Sequence, residues 1–122
     1  VTKRMDAARK SGKVDLAGLG LERVPRAAME LGEAARVVWL SENKLTKLPA
    51  AIERWQQLTQ IRLGNNKLKE LPDEIGKLKV LSVLAVNDNL LSSVNVAVTG
   101  CRSLINLDVR NNRIRRLSVQ LA

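Results

Sequence analysis

Apolar residues recur along this chain with a period of about 23 residues. The unit is clearest over residues 58–78, which read L-x-x-I-x-L-x-x-N-x-L-x-x-L-P-x-x-I-x-x-L. Each unit opens with a short run in which apolar and polar residues alternate, as is typical of a half-buried strand. The units occupy residues 11–34, 35–57, 58–80, 81–103 and 104–122. This regularity indicates a solenoid in which neighbouring repeats bury a shared apolar face.

The alternation also predicts which side chains face the core. The strand columns are Val14 and Leu16, Val38 and Leu40, Ile61 and Leu63, Leu84 and Val86, and Leu107 and Val109. Two later columns are Leu21, Leu45, Leu68, Leu91 and Ile114, and Val24, Leu48, Leu71, Val94 and Leu117. We therefore expect an α/β fold with one parallel sheet of five strands. Short helical or irregular segments should close its other side, opened by Pro25, Pro49 and Pro72 and covered by residues that include Trp55 and Cys101.

An asparagine column accompanies the apolar ones, at Asn43, Asn66, Asn89 and Asn112. An amide side chain offers both a donor and an acceptor. We expect each one to lie inside the turn that follows its strand and to bond the backbone of its own and the adjacent coil.

The first ten residues fall outside the repeats. Residues 2–10 favour a short helix, with Thr2 as its N-cap and Gly12 as its stop. Terminal units of a solenoid shield the core, so the prediction divides the chain into a capping helix over 1–10 and a repeat domain over 11–122.

The repeat formula resembles that of leucine-rich-repeat proteins, and its L-x-x-L-P-x-x-I-x-x-L part resembles the intracellular members that include the Shoc-type scaffolds. Residues 6–12 (DAARKSG), 19–25 (LGLERVP), 93–98 (SVNVAV) and 101–104 (CRSL) are also similar to the family of leucine-rich repeat-containing protein fifty-seven. The resemblance implies a curved solenoid without catalytic residues, whose concave sheet binds another macromolecule.

Composition narrows the functional classes. With one cysteine and no histidine, the chain forms no internal disulfide and lacks the usual zinc ligands. We expect neither an enzyme nor a bound metal or cofactor. The cysteine content favours an intracellular setting, cytoplasmic or organellar. No apolar run reaches the roughly 18 residues of a membrane span.

Positive charge is concentrated toward the ends of the sequence. The formal charge is +9. Residues 1–13 carry five basic residues and one acidic residue, as do residues 102–122, whereas residues 14–101 carry eleven basic and ten acidic residues. The run containing Arg113, Arg115 and Arg116 suits phosphate or an acidic protein. An ordinary solvated surface explains it equally, and both interpretations stand.

The outward positions of the strands predict a partner-binding site. Its centre is Trp39, which should face solvent, with Arg62 in the next strand. Such a pair is typical of an interface hot spot, where truncation costs about 2 kcal/mol or more. The alternative is an internal stack of Arg62 over the Trp39 ring, worth roughly 0.5–1 kcal/mol. The other candidate residues are Asp15, Val37, Gln60, Asp108 and Arg110.

These observations favour a non-enzymatic protein–protein interaction module, an adaptor or scaffold that binds a protein on its concave face. The alternative is a structural subunit of a large assembly or ribonucleoprotein, docked on RNA or an acidic protein through its basic ends.

Overall fold

The computed structural model describes residues 1–115. Its helices are α1 (Thr2–Ser11) and α2 (Arg26–Glu30). Its strands are β1 (Lys13–Asp15), β2 (Val37–Trp39), β3 (Gln60–Arg62), β4 (Val83–Ala85) and β5 (Asn106–Asp108). Short 3₁₀ segments cover Gly32–Ala34, Ala50–Arg54, Asp73–Lys77 and Val96–Gly100. Within residues 1–115, no helix combines the length and apolar character that a membrane span requires.

The five strands form one parallel sheet in sequence order. Lys13 pairs with Val37, and the same column continues through Gln60, Val83 and Asn106. Paired residues on β1 and β2 are therefore 24 positions apart in the sequence, and those on each later pair of strands are 23 apart, as the repeat lengths predict. The sheet and the short segments opposite it confirm the predicted solenoid.

The core follows the predicted columns in the first four coils. Val14, Val38, Ile61 and Leu84 are fully buried, as are Leu16, Leu40, Leu63 and Val86, which directly follow the strands. The last coil is different, because Leu107, Val109 and Ile114 are only half-buried. Leu21 in the first coil is also half-buried, and Leu117 lies outside the described residues. All four predicted columns are buried only in the second, third and fourth coils, each of which lies between two other described coils.

The asparagine column forms the predicted ladder. Asn66 accepts a hydrogen bond from the Leu45 N–H at 3.0 Å and donates to the carbonyls of Leu40 and Leu63, both at 3.0 Å. The amides of Asn43, Asn89 and Asn112 bond their own and the preceding coils in the same way. Each side chain thus ties two coils together where backbone groups would otherwise be unpaired.

The convex side is covered as predicted. Pro25, Pro49 and Pro72 directly precede helical segments. Trp55 is fully buried, and its Nε1 donates to the Ala28 carbonyl at 2.9 Å. Cys101 is also buried, and its thiol lies 3.1 Å from the Ile75 carbonyl. Both side chains therefore belong to the core rather than to a binding surface.

Helix α1 packs its buried residues Met5 and Ala8 toward the first coil. Its N-cap is Val1, so the prediction of Thr2 as N-cap is wrong. The Val1 carbonyl closes the first turn by accepting from the Met5 N–H at 2.9 Å. The helix stops at Gly12, as predicted, with φ +78° and a bond from its N–H to the Ala8 carbonyl at 2.7 Å. The division into a capping helix and a repeat domain stays a prediction.

Candidate functional site

The concave face consists of the outward side chains of the five strands and of the residues that follow each strand. Trp39 lies near its centre and is half-buried rather than fully exposed. Its Nε1 donates to Gln60 Oε1 at 3.0 Å. The Nε of Arg62 donates to the same oxygen at 2.7 Å. Gln60 therefore holds both side chains by one shared acceptor.

The cation over the Trp39 ring is Lys13, whose Nζ lies 3.9 Å from the ring centroid. The alternative interpretation, an internal stack of Arg62 over this ring, is therefore not what the structure contains. Arg62 is two residues from Gln60 on the same strand, and its guanidinium bonds that neighbour. Lys13 reaches Trp39 from β1, on the opposite side of β2. We call Lys13, Trp39, Gln60 and Arg62 the aromatic cluster.

Asp15 is already paired with helix α1. Its carboxylate lies 3.5 Å from Arg4 Nη1, which also donates to the Asp15 backbone carbonyl at 3.1 Å. The carboxylate further accepts from the Ala17 N–H at 3.3 Å. This predicted site residue therefore borders the aromatic cluster but has internal partners. Val37, on the same strand as Trp39, is half-buried.

The other end of the face carries a second polar group. Asp108 receives hydrogen bonds from Arg110 Nε and Nη2, both at 3.0 Å. The hydrogen bond from the Arg110 side chain is the main reason that the pKa of Asp108 lies below its ordinary value. Asn111 donates to Asp88 at 2.9 Å in the adjacent turn. We call Asp88, Asp108, Arg110 and Asn111 the acidic cluster.

Small side chains separate the two clusters. Ala85 stands between Arg62 and Asp108 in the strand register. Gly64 follows β3, and a Cβ placed on it would lie 2.9 Å from the Asn87 side chain. The Asn87 amide therefore occupies the space above Gly64. The face thus has polar groups at both ends and little side-chain bulk between them.

The predicted basic run does not lie on the sheet strands. Arg113 and Arg115 are exposed beyond the asparagine ladder, and Arg116 lies outside the described residues. The structure therefore brings together Trp39, Gln60 and Arg62 but leaves the arginine run apart from them.

The side chains of the concave face are chiefly aromatic, amide and charged groups. Residues 1–115 contain no group of three or more His, Cys, Asp or Glu side chains placed to hold a metal ion. What the face offers is an indole, an amide and several fixed charges. Lys13 was not among the predicted site residues. The sequence feature that could have indicated it is the 24-residue spacing between the first two strands. This spacing pairs Lys13 with Val37 and so places Lys13 diagonally opposite Trp39.

Comparison with known proteins agrees with this geometry. A family model described as leucine rich repeat matches residues 56–114. The chain has a leucine-rich-repeat (LRR) fold. Its buried asparagine ladder and parallel sheet are the elements that this LRR fold repeats. No curated protein matches the chain. The narrower resemblance to Shoc-type scaffolds and to the family of leucine-rich repeat-containing protein fifty-seven stays a prediction.

Solved LRR structures superpose on most of the chain. An LRR protein of Leptospira interrogans is 24% identical, with a TM-score of 0.71 over 96% of this chain and 36% of that one. The LRR domain of APL1B is 20% identical, with a TM-score of 0.79 over 98% and 35%. A chain in the BIR3–SERK2 complex from Arabidopsis thaliana is 27% identical, with a TM-score of 0.72 over 87% and 57%. The present chain thus spans between about a third and three-fifths of these proteins.

Proposed function

We propose that this chain is a protein interaction module that binds a protein partner on its concave face, centred on Trp39 and Arg62. LRR proteins generally mediate protein–protein interaction, and the BIR3–SERK2 neighbour was solved as a complex of two proteins. The adaptor role and the concave docking site are specific to our proposal.

The observation that carries the proposal is the fixed geometry of the aromatic cluster. Trp39 is held by Gln60 on one side and by Lys13 over its ring. A side chain that is already ordered loses less conformational entropy when a partner binds, and this strengthens the interaction. Tryptophan and arginine are also the residues most enriched at interface hot spots. The cluster therefore presents a preformed apolar surface with donors at its rim.

Partner capture by the immobilised full chain tests the proposal. Proteins retained by the unaltered chain should be lost with Trp39→Ala, because truncation removes the preformed apolar surface. Fold retention is checked by circular dichroism. Val96→Ala is a matched control, since Val96 is an exposed apolar residue on the convex side, 60% accessible. It should leave capture unchanged.

The alternative function is a structural subunit of a large assembly, held by RNA or by an acidic protein. It is supported by Arg113 and Arg115, which are exposed and form no ion pair with a described residue. Capture that survives Trp39→Ala but is lost when Arg113, Arg115 and Arg116 are changed to Gln contradicts the concave site. Sensitivity of that capture to ribonuclease identifies RNA as the bridge.

We further propose that the chain acts without catalysis and in an intracellular setting. The second point is supported by its single cysteine, which is buried and so is not available for a disulfide at the surface. Fluorescence microscopy of the tagged full-length protein tests the setting directly.

A further inference from the structure

Basic residues that are scattered along the chain lie together on one lateral edge of the solenoid. Hydrogen bonds between coils align the residue that follows each ladder asparagine. The Lys44 N–H donates to the Leu21 carbonyl at 2.7 Å, and the Lys67 N–H donates to the Leu45 carbonyl at 2.8 Å. The Arg113 N–H donates to the Leu91 carbonyl at 2.9 Å. Lys44, Lys67 and Arg113 therefore occupy equivalent positions in successive coils. In the fourth coil the equivalent position is Leu90, whose N–H donates to the Leu68 carbonyl.

The basic edge comprises Lys44, Lys47, Lys67 and Lys69 in the second and third repeats, preceded by Arg23 and followed by Arg113 and Arg115. All seven are exposed, and the same edge carries two acidic residues, Glu22 and Glu70. Its net charge is thus +5. Residues 14–101 as a whole are nearly neutral, with eleven basic and ten acidic residues. Only two of those ten acidic residues, Glu22 and Glu70, belong to this edge, so the charge count along the sequence does not reveal its positive charge.

Within residues 1–115, the cations of this edge form no salt bridge, whereas four salt bridges occur among the other residues. On the concave face, by contrast, Arg4 is paired with Asp15, Arg62 bonds Gln60, and Arg110 is paired with Asp108. Uncompensated charges in one region add up to a potential that attracts an anionic partner.

A groove of about 670 Å³ runs between these side chains. Arg23, Lys44, Lys47 and Lys67 contribute to its lining, together with the apolar residues Val24 and Pro49. Glu22 also lines it, so one position along the groove repels an anion. A volume of this order is typical of ligand pockets, which commonly measure roughly 300–1,000 Å³, and it accommodates a few residues of an extended chain.

The groove suits a peptide better than a nucleic acid. Both aromatic residues of the chain lie elsewhere, Trp39 on the concave face and Trp55 in the core, so bases would find no stacking surface here. Lysine ammonium groups are mobile point charges that pair with single carboxylates. In an extended peptide, alternate carboxylates are about 7 Å apart, within the reach of lysines on neighbouring coils. The apolar lining can contact the aliphatic stems of glutamate.

We propose that the basic edge binds an extended acidic peptide segment of a protein partner, seated in the groove between Arg23 and Lys67. This surface is separate from the concave face and does not depend on the function proposed for it. Binding should weaken as salt is added, because exposed charges are screened.

Fluorescence anisotropy with the full chain and a labelled peptide of alternating glutamate and serine tests the proposal. The double variant Lys44→Glu, Lys67→Glu should bind at least about tenfold more weakly, since like charges at an interface are strongly unfavourable. Lys44→Gln, Lys67→Gln should weaken binding less. The matched control Lys3→Glu, Lys10→Glu changes the formal charge equally but on exposed positions of α1, and it should retain most of the affinity. Trp39→Ala should also retain it, which separates this site from the concave face.

Four outcomes overturn the proposal. The first is no saturable binding of the peptide at low salt. The second is an equal loss in the α1 control, which would show a response to total charge. The third is loss of peptide binding in Trp39→Ala, which would place the site on the concave face. The last is tighter binding of a single-stranded RNA or of phosphatidylserine vesicles that is itself lost in Lys44→Glu, Lys67→Glu.

Discussion

The replacement Asn66→Ala tests the asparagine ladder at a buried position in the middle of the solenoid. Asn66 is 8% exposed and lies between two other ladder residues. Its Oδ1 is the acceptor for the Leu45 N–H, and its Nδ2 donates to the carbonyls of Leu40 and Leu63. Alanine removes these bonds without changing the backbone conformation that the turn requires.

The expected cost follows from which groups lose their last partner. The Leu40 carbonyl still accepts from Asn43, and the Leu63 carbonyl still accepts from Asn89. The Leu45 N–H, on a fully buried residue, is left unpaired. An unsatisfied buried donor costs about 1–3 kcal/mol, and each of the two lost amide bonds contributes about 1 kcal/mol. We therefore expect the free energy of unfolding to fall by about 3–5 kcal/mol.

Urea unfolding followed by circular dichroism measures this loss. Asn112→Ala removes equivalent bonds in the last coil, where Asn112 is half-exposed and water can replace them. Its cost should be about half as large. Asn106→Ala is the control, because Asn106 is exposed and its side chain forms no hydrogen bond with a described residue. A surface change of this kind costs at most about 0.5 kcal/mol.

A cost for Asn66→Ala below about 1 kcal/mol would refute this reasoning. Equal costs for Asn66→Ala and Asn112→Ala would refute the role assigned to burial. In the first case the stability of the coils would rest mainly on apolar stacking.

Three further predictions concern the backbone and the charges. A Cβ added by Gly100→Ala would lie 2.5 Å from the Gly76 carbonyl oxygen, so thermal unfolding should show a loss of about 1–3 kcal/mol. Glu42 has φ +57°, a left-handed conformation that asparagine tolerates better than glutamate does. Glu42→Asn should therefore raise the free energy of unfolding by about 0.5–1 kcal/mol. An unchanged midpoint of urea unfolding would argue against backbone strain at this position. NMR titration of Asp108 should show a pKa below that of an unfolded aspartate, mainly because of the Arg110 hydrogen bond. Its contribution to stability is present above the unfolded pKa of about 3.9 and is lost as pH falls through the folded pKa. Arg110→Ala should raise the pKa and reduce this acid dependence, because the backbone N–H of residue 110 and the charge of Arg62 remain.

The parts of the fold that were predicted correctly depend on repeated local patterns. Asn43, Asn66 and Asn89 recur at one register, and each solves the same hydrogen-bonding problem in its turn. Trp55 and Cys101 were placed in the core because they occupy an apolar column. The start of α1 was not predictable in this way, because its first turn is closed by a backbone carbonyl rather than by the Thr2 side chain.

For the concave face, the sequence predicted which strand positions lie side by side but not which side chains contact each other. Trp39 and Arg62 are neighbours in register, as expected, yet their side chains meet through Gln60 rather than by stacking. Lys13 occupies the ring face instead. Lys13 and Arg62 both lie on strands next to that of Trp39, and side-chain geometry decides which of the two cations covers the ring.

The sequence by itself determined the coil length, the strand register, the buried columns and the ladder, because in a solenoid each repeat contacts its neighbours at a constant offset. The tertiary structure alone decided which side chains share a hydrogen bond or an ion pair across coils. It also decided that Arg23, Lys44, Lys67 and Arg113 face solvent on one edge without a salt bridge to any other described residue. A charge count along the chain averages such residues with distant carboxylates, whereas the electrostatic potential depends on distances in space.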